Sequence, residues 1–71
     1  MDYETLLFNF YEYFALCILK GFVDEDNAKI FFKNLLLSVR GLFDNSVLFK
    51  EGYAEESQYR GLQWLFERWN I

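Results

Sequence analysis

Glu12 is the carboxylate in this 71-residue sequence with the most apolar neighbours: Tyr11 precedes it, and Tyr13 and Phe14 follow it. A carboxylate so placed can face water beside Asn9. If packing covers it instead, an unpaired buried charge is expensive and a cation must meet it. Arg68 and Arg60 are the cations able to do so, and Glu12 with Arg68 is the expected structural polar pair. Other chemistry has little to draw on. The chain has no histidine, which removes the usual general base and nitrogen metal ligand. Cys17 is the single cysteine. One thiolate builds neither a zinc site nor an internal disulfide, so Cys17 reads as a small buried hydrophobe. Asp24 and Asp26 alternate as in a calcium loop, but the glycine and the closing glutamate of that loop are missing, and a helix start fits better. Glu55 and Glu56 are adjacent on a helix and point apart, so they suit the positive end of a helix dipole rather than an ion. No phosphate-cradling glycine loop or nucleophile elbow occurs. No catalytic residue, cofactor or metal is expected, and the chain is expected not to be an enzyme.

The elements that carry these residues are helices broken by glycine and capping groups, since no proline occurs. Asp2 caps a first helix over about 3–20, closed by Gly21. Asp24 caps a second over about 25–40, closed by Gly41. The run Asp44-Asn45-Ser46 introduces a short helix over about 46–51, closed by Gly52. A last helix spans about 54–69, with Glu56 and Arg60 as an i,i+4 pair. The fold class is all-α: a small bundle of three long helices and one short one, in a single domain over 1–71, with antiparallel neighbours because the loops are short.

The helix faces follow from spacing. Thr5, Asn9, Glu12, Leu16 and Lys20 form the polar stripe of the first helix, and the apolar arc covers well over half of its circumference. Ala28, Phe31, Phe32, Leu35 and Val39 form the core face of the second. Ile30, Leu36 and Leu37 fall outside that face, beside the charges. The last helix turns Tyr59, Leu62, Leu65, Phe66 and Trp69 inward and leaves Trp64 off that face. Gly61, with Ser57 before it, is either a groove for the close approach of another helix or a tolerated glycine.

The size of the chain sets the function class. At 8.6 kDa a monomer should expose roughly 4,700 Å². The 16 aromatic residues within a 54% hydrophobic composition compete for what can be buried, so large apolar side chains should remain outside. Surplus apolar surface points to self-association or a permanent partner. The net charge of −4, with seven scattered Lys and Arg, lacks the basic face that a phosphate backbone needs, so nucleic acid is not an expected partner. The scarcity of cations also argues against docking on anionic lipid. Acidic Asp2 and Glu4 stand where a signal peptide would be basic, and Asn9, Glu12 and Lys20 interrupt the only long apolar stretch, so a soluble cytoplasmic protein is expected.

The fragments "NFYEYFAL" at 9–16, "KGFVDED" at 20–26 and "YRGLQWLFERW" at 59–69 resemble an uncharacterised bacterial family of small helical proteins. Its pattern is an N-F-x-E helix, a glycine turn leading into D-E, and a final W-L-x-x-R-W-like helix. Members often carry one or two membrane helices before this domain. The segment "KNLLLSVRGLFD" departs from the family's aromatic and basic pattern. The resemblance implies the fold, no known activity, and a structural constellation of Asn9, Glu12, Arg68 and Trp69.

The expected function is a non-enzymatic helical interaction module that self-associates, as a dimer first, through surplus apolar surface. Leu16, Ile30, Leu36, Leu37 and Trp64 are the interface candidates. The alternative is a small acidic inhibitor or immunity-type protein that blocks a larger partner.

Overall fold

The Asp2 carboxylate accepts the Thr5 backbone N–H at 2.8 Å and the Thr5 hydroxyl at 2.9 Å. From that cap, α1 runs Tyr3–Leu19. The protein is represented by a computed structural model that describes residues 2–71. Gly21 ends α1 at φ +76°, a left-handed conformation that side chains with a Cβ rarely adopt. It lets the Phe22 N–H reach the Cys17 carbonyl at 2.9 Å and its own N–H reach Ile18 at 3.0 Å, a Schellman close.

Asp24 caps α2, Glu25–Asp44, which runs four residues past the expected end at Arg40. Gly41 stays helical, the Arg40 guanidinium pairs with Asp44 at 3.1 Å one turn on, and Asn45 Nδ2 donates to the Gly41 carbonyl at 2.9 Å. A helical glycine costs about 1 kcal/mol. The extension carries Phe43 into the core, and burying a phenylalanine gains more than that.

Ser46 caps α3, Val47–Lys50, by accepting the Leu48 N–H at 3.1 Å. The last segment opens as a 3₁₀ turn, Glu56–Tyr59, and becomes α4 only at Arg60–Arg68. Two helices are therefore long, not three. The Glu56–Arg60 pair does not form, because the 3₁₀ turn changes the spacing that would align them. Among the described residues the ion pairs are Arg40–Asp44 and Arg68–Glu25.

The core centres on Phe8, which is fully buried. Its ring meets Phe43 edge-on at 5.3 Å, Phe49 in a stack at 6.0 Å and Tyr59 edge-on at 5.9 Å. Tyr59, Leu62, Leu65, Phe66 and Trp69 all point inward, as their spacing predicts. On α2 the inward face is Ala28, Phe32, Leu36, Val39 and Phe43, so two expectations fail. Leu36 lies in the core, and Phe31 and Leu35 lie outside it. The longer helix explains the change: spacings of 4, 4, 3 and 4 carry one apolar line from Ala28 to Phe43, and Phe32 meets Phe14 of α1 at 4.9 Å. The accessible surface is 4896 Å², slightly above the size-based expectation. Among the described residues no helix is long and apolar enough to cross a membrane.

Candidate functional site

Among the described residues, Glu12 meets no cation. Its two carboxylate oxygens accept the backbone N–H groups of Gly61 at 3.1 Å and Leu62 at 2.7 Å, the first turn of α4. These N–H groups have no partner within their own helix, and the residue preceding α4, Tyr59, offers no side-chain cap. A carboxylate from α1 thus supplies the cap and meets the positive end of the helix dipole. The expected Glu12–Arg68 pair is replaced by this contact. Arg68 instead donates to Glu25 through Nε at 2.6 Å and through its second guanidinium nitrogen at 2.9 Å, while Trp69 Nε1 donates to the same carboxylate at 2.9 Å. Arg68 also lies over the Trp64 ring, 5.4 Å from its centroid. Hydrogen bonds from Arg68 and then Trp69 hold the Glu25 carboxyl below the usual carboxylate range.

Gly61 follows from the same contact. A Cβ there would stand 2.6 Å from Glu12 Oε2 and 3.0 Å from Leu16 Cδ2. The helix that approaches closely is α1 of the same chain. Beside this contact, Tyr59 donates its hydroxyl to Asn9 Oδ1 at 3.0 Å, and burial pushes the Tyr59 hydroxyl pKa up. Residues Asn9, Glu12 and Leu16 of the expected water-facing stripe therefore belong to the α1–α4 contact.

The opposite side of α1 is uncovered. Tyr3, Leu6, Phe10 and Tyr13 are 71%, 61%, 60% and 70% exposed, and half-buried Cys17 continues the line. Their spacing of 3, 4, 3 and 4 places them within about 80° of one another on the helix, across from Phe8 and Ala15. None of the five is charged. On α2, Phe31, Leu35 and Leu42 are also exposed. They lie on the flank away from Arg40, which donates to the Ile71 carbonyl at 2.7 Å and covers Phe66.

The five interface candidates divide. Ile30 and Leu37 are exposed. Leu16 is half-buried beside Gly61, Trp64 is half-buried against the core under Arg68, and Leu36 is inside. The uncovered line on α1 is not among these five, although its 3–4 spacing can be read in the sequence from Tyr3 to Cys17.

Polar sites offer less. A cleft between the ends of α2 and α4 is lined in part by Asp44, Glu56, Glu67 and Arg40, but Arg40 is already bonded to Asp44 and Ile71. Among the described residues no group of three or more His, Cys, Asp or Glu is placed to hold a metal ion. No buried side-chain nitrogen or oxygen among them lacks a hydrogen-bond partner.

No family model, curated protein or solved structure matches the chain.

Proposed function

We propose that this protein is a non-enzymatic helical interaction module that self-associates as a dimer through apolar surface of α1 and α2. One observation carries the proposal: α1 buries one side and leaves Tyr3, Leu6, Phe10 and Tyr13 in water along the other. Scattered exposed hydrophobic residues are normal on a monomer. A line of them without an intervening charge resembles the core of an interface, which is rich in aromatic residues and poor in charge.

The proposal takes the protein to be cytoplasmic, to have antiparallel neighbouring helices, and to bind no nucleic acid. Two of its seven cations, Arg40 and Arg68, are engaged within the chain, which fits the last of these. It also retains the family likeness. Polar contacts join the three fragments that carry the likeness: Asn9 with Tyr59, Glu12 with Gly61 and Leu62, and Glu25 with Arg68 and Trp69.

Sedimentation equilibrium over a hundredfold range of concentration tests the proposal. The expected mass is twice 8.6 kDa, relaxing toward one chain on dilution. A single-chain mass throughout would overturn it.

A further inference from the structure

We infer that the Tyr3–Cys17 face of α1 pairs with the same face of a second copy, the two helices running antiparallel about a two-fold axis near Phe10. This rests on the self-association proposed above and names its seam. Alternating spacings of three and four are the pattern by which one helix presents a continuous seam to another. A seam made of one surface used twice closes into a dimer rather than a filament.

Area and charge select the occupant. Weighting the roughly 150–250 Å² of an aromatic side chain by the exposures of Tyr3, Phe10 and Tyr13, and adding Leu6, gives about 500 Å² per copy. Complete burial of that surface in a symmetric pair would cover about 1,000 Å², the lower bound for a specific interface. No charged side chain lies on the line itself, so pairing two copies buries no unmatched ion, although each copy carries a net charge of −4.

Direction follows from the ends of α1. Asp2 lies at the N-terminal end, and exposed Lys20 lies just past the C-terminal end. Antiparallel packing brings Lys20 of each copy toward Asp2 of the other and opposes the two helix dipoles. Parallel packing would set like charges together. With the axis near Phe10, Tyr3 faces Cys17 of the second copy.

Disulfide trapping reads this arrangement, because a bridge needs Cα atoms within about 7 Å. Under mild oxidation, Tyr3→Cys should give a covalent dimer, and adding Cys17→Ser should abolish it. Wild type, with Cys17 alone, should give none. Rapid bridging of wild type would mean parallel helices or an axis near Cys17, and either would overturn the inference, as would failure of Tyr3→Cys to bridge. A second pair of variants separates this inference from the proposal beneath it. Phe10→Glu should halve the sedimenting mass, with helicity by circular dichroism unchanged, while Leu37→Glu should leave the mass unaltered. If Leu37→Glu dissociates the dimer and Phe10→Glu does not, the seam is wrong and self-association stands. A monomeric wild type would remove both.

Discussion

Phe8 and Phe10 are two residues apart on the same helix, yet one is fully buried and the other is 60% exposed. Around Phe8, five aromatic rings interlock, and the polar groups nearby, Asn9, Glu12 and Tyr59, are each matched within the chain. Around Phe10, aromatic side chains meet water. A 71-residue chain cannot enclose every large side chain it carries. Part of the excess, Tyr3, Leu6, Phe10 and Tyr13, falls along one uncharged line of α1, and the rest, Phe22, Ile30, Phe31 and Tyr53 among it, lies elsewhere on the surface. The inner side of α1 holds the monomer together, and the outer side is available for pairing.

The largest expected effect breaks the inner side. Phe8→Ala should destabilise the fold by about 3–5 kcal/mol, a large part of what a domain of this size possesses, as measured by urea unfolding. Phe10→Ala, measured at dilutions where the chain is monomeric, should cost no more than about 0.5 kcal/mol. Similar losses at both positions would erase the distinction between the faces.

Next comes the cap from α1 to α4. Glu12→Ala strips two N–H groups of a charged acceptor and should cost about 1–3 kcal/mol. Gly61→Ala sharpens the point through its sign. On an exposed helix that change gains about 1 kcal/mol. Here its Cβ would meet the Glu12 carboxylate, so it should destabilise. In the Glu12→Ala background the penalty should shrink or reverse, and a double-mutant cycle in urea measures the coupling.

The smallest effect is a pH dependence. The folded Glu25 carboxyl titrates below its usual range because Arg68 and Trp69 donate to it, and the Thr5 backbone and hydroxyl donors do the same for Asp2. Both contribute stability that is present above the ordinary carboxylate pKa and lost as pH falls through the lowered folded values. Tyr59 and Tyr11 are raised, mainly by burial, so the folded state holds their protons longer and loses stability as pH rises above the ordinary tyrosine value, near 10. Thermal melts from pH 2 to 11 should show a plateau with losses at both ends. Glu25→Gln should flatten the acid side.

Local signals predicted much of this architecture. Asp2, Asp24 and Ser46 cap where their positions imply, Gly21 closes α1, and the inward face of α4 matches its spacing. The errors arise where a distant contact outweighs a local signal. Gly41 reads as a stop, but Phe43 belongs to the core; Phe32 stays inward as its spacing implies, while Leu36 takes the inward place expected for Phe31 and Leu35. Glu12 reads as either solvated or ion-paired, because sequence spacing does not reveal that the start of another helix will meet it. Gly61 was the available clue: a glycine inside a helix often marks a close approach. The uncovered line on α1 was legible as a spacing, but which side of a mostly apolar helix stays outside depends on where α4 docks.

Phe10→Glu compared with wild type at equal concentration, by light scattering behind a sizing column, tests the division between the two faces most directly. The wild-type mass should be twice 8.6 kDa, and the variant should show half that mass with unchanged helicity. Equal masses for the two proteins, or a variant that loses its helicity, would contradict that division.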